Sequence, residues 1–156
     1  MRPKFEYLFI CLSFLLNSII SIEINQTILF RKYGHSFNSE FINLTDQNID
    51  SINVDTFKGL NKLEILYLEK NNLRYLDSSL FKDLVNLKEI WLENNRIVSV
   101  DKNIFEGLTN LEIVCLKNNP ISDAFPTFIQ QLCKYTSKCT VQIAKNCVKK
   151  PIKGNS

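Results

Sequence analysis

The sequence predicts a single α/β solenoid, with four coils stacked side by side, a short parallel β-sheet on the concave face and irregular or 3-10 segments on the convex side. Three observations predict it. Segments 39–62, 63–86, 87–110 and 111–134 align without gaps at a period of 24 residues, and a fixed period in that range marks a stacked-repeat architecture. Each copy holds a short stretch in which apolar positions alternate with polar ones, as in a strand with one buried face. Just beyond that stretch one column stays polar in an apolar register: Gln47, Asn71, Asn95 and Asn119.

The elements follow in chain order. Residues 1–21 have the layout of a signal peptide, with Arg2 and Lys4 at a basic start and an almost wholly apolar run from Tyr7 to Ile22. Small residues at Ser18 and Ser21 offer cleavage points before Glu23 opens polar sequence. An uncleaved anchor is the alternative, but the run is shorter than the roughly twenty residues that a spanning helix needs. No second apolar run follows, so no membrane span and a secreted, extracellular product are expected. Residues 22–38 are expected to shield the first coil as an N-terminal cap, with an added strand around Thr27 to Tyr33.

The repeats, 39–134, share eight columns. Position 4 is Ile42, Leu66, Ile90 and Val114; position 6 is Leu44, Leu68, Leu92 and Leu116. Both fall on the inward face of the strand. Position 9 is the polar column, where a buried Asn can satisfy backbone groups of neighbouring coils and stack into a ladder. Position 11 (Ile49, Leu73, Ile97, Ile121), position 14 (Ile52, Leu76, Val100, Ala124) and position 22 (Leu60, Leu84, Leu108, Leu132) fill the interior, with Ser39, Leu63, Leu87 and Leu111 at position 1. Position 19 places Phe57, Phe81 and Phe105, then Ile129, in a spine under the convex side. One coil cannot bury its own apolar face, whereas stacked neighbours can. Ser39 and Gln47 make the first copy the weakest match, as a terminal repeat should be.

Leu63-x-x-Leu66-x-Leu68-x-x-Asn71-x-Leu73 and Leu87-x-x-Ile90-x-Leu92-x-x-Asn95-x-Ile97 resemble the leucine-rich repeat in its 24-residue extracellular form, over residues 39–134. The resemblance implies a concave sheet that contacts a partner. Extracellular members often carry cysteine-clustered caps. Here the N-terminal segment has no cysteine and departs from that pattern. Asn119-Pro120 resembles the start of the family's C-terminal cap, without the tight cysteine pair that usually follows.

Residues 135–156 are expected to form a C-terminal cap and a basic tail, with a helix from Pro126 to Tyr135 leading in and a strand from Cys139 to Ile143. Cys115, Cys133, Cys139 and Cys147 remain once Cys11 leaves with the signal. This even set suggests two disulfides in an oxidising compartment, with three possible connectivities, or alternatively unpaired buried thiols. Cys115 occupies outward position 5, and a bridge from it to the cap would fold part of the cap over the last strand. Asn25-Gln-Thr27 and Asn43-Leu-Thr45 are N-glycosylation acceptors, which makes Asn25 and Asn43 candidate glycan sites.

Chemistry of other kinds finds little support. His35 is the one histidine, and a catalytic dyad would have to be built on it. The sequence holds no phosphate-binding glycine loop and no metal-ligand spacing. The expectation is therefore no enzyme, no cofactor and no metal. Binding is the expected function. Positions 2, 3, 5, 7 and 8 point out of the concave sheet: Glu40, Phe41, Asn43, Thr45 and Asp46 in the first copy; Glu64, Ile65, Tyr67, Glu69 and Lys70 in the second; Lys88, Glu89, Trp91, Glu93 and Asn94 in the third; Glu112, Ile113, Cys115, Lys117 and Asn118 in the fourth. Tyr67 and Trp91 share column 5, rimmed by Glu69, Glu89 and Glu93, with Ile65 and Ile113 widening the apolar patch. Aromatics in the centre of a surface with a charged rim are the makeup of an interface hot spot, although the pair would also serve as ordinary cross-strand packing. The expected partner is an extracellular protein with a cationic surface. A glycan on Asn43, also in column 5, would cover one end of the face.

Charge is divided along the chain. After Asp123 there is no acid, while Lys134, Lys138, Lys145, Lys149, Lys150 and Lys153 are basic. This supports a runner-up reading, a matrix or self-assembling protein that engages anionic glycans through its tail, or simply a solvated end. Nucleic acid is not the expected partner of a secreted chain with an acidic face.

Overall fold

The computed structural model describes residues 22–34, 39–101, 103–123 and 140–142. Its spine is a five-stranded parallel sheet in the order β2 (Phe41–Asn43), β4 (Ile65–Tyr67), β6 (Glu89–Trp91), β8 (Ile113–Cys115) and β9 (Thr140–Gln142). The register keeps the repeat columns aligned: Ile42 sits beside Leu66, Leu66 beside Ile90, and Ile90 beside Val114. Beyond the strands the ladder continues, with the amides of Leu44, Leu68 and Leu92 donating to the carbonyls of Tyr67, Trp91 and Cys115 at 2.8–2.9 Å. Further along the coils lie two small parallel pairs, β1 (Ile22–Ile24) with β3 (Ile49–Ile52) and β5 (Tyr75–Leu76) with β7 (Ser99–Val100). A 3-10 helix, Pro120–Asp123, follows the fourth strand.

Side-chain burial follows the columns. Positions 1, 4, 6, 11 and 22 are buried wherever described, except Ser39. The phenylalanine spine is present, with Phe57, Phe81 and Phe105 stacked at centroid spacings of 6.1 Å. Position 18 is a further core column that the sequence reading passed over: Thr56, Leu80 and Ile104 are all buried. Its polar member is accounted for, since the Thr56 hydroxyl donates to the Ile24 carbonyl at 2.9 Å and so fastens β1 to the first coil.

The asparagine column works backwards along the stack. Asn71 Nδ2 donates to the carbonyls of Leu44 in the preceding coil and Leu68 in its own, while its Oδ1 accepts from the Gln47 and Ile49 amides. Asn95 repeats the pattern with Leu68, Leu92 and the Leu73 amide, and Asn119 with Leu92, Leu116 and the Ile97 amide. Each side chain thus serves the coil before it. The first coil has none before it, which is why Gln47 suffices there. Gln47 is exposed and instead accepts from Lys32 Nζ at 2.9 Å.

The N-terminal cap differs from expectation. The strand expected around Thr27 to Tyr33 is a helix, α1 (Gln26–Tyr33), while the segment's only described strand is β1. The apolar run Ile28-Leu29-Phe30 suggests β structure, but the end signals favour a helix. Asn25 Oδ1 accepts from the Ile28 amide, Arg31 and Lys32 occupy the last turn, and Gly34 closes it at φ 76°. One turn of α1 then covers the open edge of the concave sheet. The Tyr33 hydroxyl donates to the Asn43 carbonyl and accepts from the Asn43 amide, satisfying part of the edge strand that would otherwise invite pairing. At the other end β9 matches the strand expected between Cys139 and Ile143. The helix expected from Pro126 to Tyr135, together with Cys133, Cys139, Cys147, His35 and the C-terminal lysines, lies outside the described residues.

Candidate functional site

The concave face is assembled from three-residue strands held at a fixed stagger, so the period alone decides which side chains become neighbours. Tyr67 and Trp91 do meet, with ring centroids 6.4 Å apart and planes at 27°. They form one apolar cluster with Cys115, flanked by the half-buried Ile65 and Ile113. The expectation that the aromatic pair stands open to a partner is corrected: Tyr67 is 4% exposed, Trp91 and Cys115 0%, and Glu69 2%. The physical reason is partly local. Side chains in one column of a parallel sheet are about 4.8 Å apart, so three large neighbours shield one another. Each of these four groups also makes a further interaction. Cys115 is disulfide-bonded, and its partner is not among the described residues.

Polar groups around the cluster are mostly committed. The Trp91 indole N–H donates to Glu89 Oε2 at 3.0 Å, which fixes the ring and occupies one oxygen of a rim carboxylate. The Thr45 hydroxyl donates to Glu69 Oε2 at 2.9 Å. In column 2, Lys88 pairs with Glu64 at 2.7 Å across adjacent coils, and this bond, the largest influence, raises the Lys88 pKa. Burial raises the Tyr67 phenol, and the nearby Glu89 carboxylate adds to the effect.

Glu93 is the exception. Its Oε2 is buried and has no hydrogen-bond partner among the described residues. Burial raises its carboxyl pKa above the usual value, with Lys117 and Lys70 opposing. An ionised oxygen without a donor is costly, and a donor supplied from outside would relieve that cost.

Column 8 is a turn position more than a contact strand. Asp46, Lys70, Asn94 and Asn118 all have left-handed backbone, φ 56–57°, and three of the four are Asp or Asn, the residue types that tolerate it best. The candidate glycan sites are structurally distinct. Asn43 is exposed at the first coil, with Oδ1 accepting from the Thr45 amide at 3.0 Å. Asn25 uses the same oxygen to cap α1. In both residues the nitrogen that would carry a glycan is not the atom that makes the bond. Among the described residues no cluster of His, Cys, Asp or Glu could hold a metal ion, and no helix is long and apolar enough to cross a membrane.

A parallel solenoid with a polar ladder and a short-stranded concave sheet defines a stacked-repeat scaffold. The chain belongs to the leucine-rich repeat family: the family described as Leucine rich repeat matches residues 40–97, and that described as Leucine Rich repeats (2 copies) matches 85–129. Among solved structures it is similar to TLR13 in the TLR13-ssRNA13 complex, with 29% identity over 62% of this chain and 13% of that one, at a TM-score of 0.56. A chain of the Drosophila Toll–Spatzle complex matches at 21% identity over 76% of this chain and 16% of that one, with a TM-score of 0.64. The leucine-rich repeat domain of APL1B matches at 24% over 64% and 30%, with a TM-score of 0.51. The chain therefore spans less than a third of each of these structures. No curated protein matches its sequence.

Proposed function

We propose that this chain is a secreted leucine-rich repeat module that recognises an extracellular protein through its concave face, and that it has no catalytic role. Leucine-rich repeat domains are typically protein-interaction modules. The observation that carries the concave reading is Glu93, two residues beyond Trp91, whose carboxylate is half-buried with one oxygen lacking a donor among the described residues. A Lys or Arg from a partner would pair with the accessible part of that carboxylate, and a charge-assisted bond in a shielded setting is stronger than a neutral one. Glu64, Glu89 and Glu112 lie on the same face, half-exposed, and would steer such a partner toward it. Tyr67 and Trp91 act here as the floor that sets the curvature and dryness of the face, while Ile65 and Ile113 provide its accessible apolar contact.

Secretion is supported by the signal-like residues 1–21 and by the two glycan acceptors, of which Asn43 would set the outer limit of the face. A disulfide to the C-terminal cap, through Cys115, belongs to the same reading. One solved neighbour is a complex with ssRNA, but the acidic concave columns favour a cationic protein over a polyanion.

Affinity capture from extracellular fluid tests the proposal, with wild-type protein run beside Glu93→Lys and Glu106→Lys. Glu106 is exposed on the convex side and controls for charge alone. A partner held by wild type and Glu106→Lys, and weakened about tenfold or more by Glu93→Lys, supports concave recognition. Equal retention by all three refutes it.

A further inference from the structure

Beside the acidic concave face, repeats two and three carry a second surface of opposite sign. Residues 70–75 and 94–99 contain Lys70, Arg74 and Arg96 and no carboxylate. The Arg96 amide donates to the Leu73 carbonyl at 2.9 Å and the Val98 amide to Arg74 at 3.2 Å. The two arginines therefore lie diagonally across adjacent coils, just before the β5–β7 pair. Neither they nor Lys70 belong to the ion pairs found among the described residues, which are Lys58–Asp55 and Lys88–Glu64. Tyr75, 69% exposed, follows Arg74 in the chain, and Val98, 45% exposed, is the neighbour of Arg74 on the next coil. Tyr75 is the most exposed large apolar side chain described, and it sits on backbone fixed by a strand rather than on a loop.

We propose that this lateral band, Arg74, Tyr75, Arg96 and Val98 with Lys70 at its rim, is a docking surface for an acidic protein segment that carries an apolar residue between carboxylates. Tyr and Arg are the residue types enriched at interface anchors, and a guanidinium fork matches a carboxylate with two parallel bonds. The apolar pair decides between partner classes. A sulfated glycan or a nucleic acid backbone would use the three cations but leave Val98 unmatched, whereas a peptide that alternates acid and apolar residues engages both. The inference goes beyond the concave reading and does not depend on it.

The test uses the full secreted chain and a short fluorescent peptide alternating glutamate with leucine, followed by anisotropy, beside its glutamine–leucine counterpart, heparin and an RNA oligonucleotide. Wild type is expected to bind the acidic peptide and not the glutamine peptide. Arg74→Glu/Arg96→Glu should lose at least about tenfold in affinity, Tyr75→Ser several-fold, and Glu106→Gln, on the convex side, nothing. Each altered side chain is exposed, and matching thermal melts will show that the variants fold. The proposal is overturned if charge reversal leaves peptide affinity unchanged, if Glu106→Gln lowers it as much, or if heparin or RNA binds while the peptide does not. It is also overturned if the arginines prove to hold the acidic face of a second copy, seen as a concentration-dependent mass that the double variant abolishes without any peptide binding.

Discussion

Repeats two and three present two surfaces only a few residues apart, and they are built in different ways. On the concave side, columns 2 to 7 carry Glu64, Glu69, Glu89 and Glu93 around Tyr67 and Trp91, and the large side chains are buried. On the lateral band, columns 8 to 13 carry Lys70, Arg74 and Arg96 around Tyr75 and Val98, and the large side chains are exposed. The strand geometry explains the first. Three-residue strands in register put Tyr67, Trp91 and Cys115 shoulder to shoulder, so they pack on one another. The lateral backbones stay paired after the left-handed column 8, with the Arg96 and Val98 amides donating to the Leu73 and Arg74 carbonyls, yet Arg74, Tyr75, Arg96 and Val98 are all exposed. The asparagine ladder runs along the seam between the two surfaces. An aromatic residue in such a fold is therefore core or contact according to its column, whatever its intrinsic character.

The largest expected effect separates the two aromatics. Trp91→Ala removes a fully buried indole and leaves Glu89 Oε2 without its donor, and should cost about 3–5 kcal/mol of stability by chemical denaturation. Tyr75→Ala should fall within about 0.5 kcal/mol of wild type, as surface changes usually do. Equal losses would erase the distinction between the surfaces. The same contrast means that a Tyr67→Ala/Trp91→Ala variant tests the fold more than the binding, so Glu93 is the better probe of the face.

Next in size is the seam itself. Asn95→Ala strands the Leu73 amide inside the stack and takes one of two asparagine donors from each of the Leu68 and Leu92 carbonyls, and should cost about 2–3 kcal/mol, because an unmet buried polar group carries its full desolvation penalty. Gln47→Ala, at the exposed end of the same column, should cost less than about 1 kcal/mol. Urea midpoints compared at constant m-value would read both. A smaller gain is expected from Lys70→Asn, which moves a left-handed position to a residue that tolerates it and should stabilise by about 0.5 kcal/mol. The same change removes a cation from the band and should slightly weaken acidic-peptide binding, so stability and affinity would move in opposite directions at one site.

Much of this was legible in the sequence, and the failures have physical causes. A period fixes which residues share a column and which way each Cβ points, so the phenylalanine spine, the asparagine ladder and the Tyr67–Trp91 contact could be derived. It does not say what lies above a face, and for that reason Trp91 was expected in the open. The helix α1 was written in its caps, Asn25 and Gly34, and missed because three consecutive apolar residues outweighed them. The left-handed column 8 was hinted at by Asp46, Asn94 and Asn118 and hidden by Lys70. The lateral band was missed for a different reason: its two arginines fall in different columns, and only the backbone contact between the coils brings Arg74 and Arg96 near each other.

The smallest effect bears most directly on the concave reading. Burial raises the Glu93 carboxyl pKa above the ordinary glutamate value. A group whose folded-state pKa lies above its unfolded one favours folding when protonated. Its contribution is fully present below the unfolded value and is lost as pH rises through the folded one. Wild type should therefore lose a small increment of stability across that interval, from the ordinary glutamate range upward, and Glu93→Gln should not. The melting difference between the two proteins should be negligible in acid and favour the glutamine variant at neutral pH. Bound partner should reverse the neutral-pH order, because a cation set against Glu93 restores the value of its charge. If the difference is the same at both pH values, Glu93 carries no burial strain for a partner to relieve, and the acidic face is then a solvated surface while the cationic band remains the better candidate for recognition.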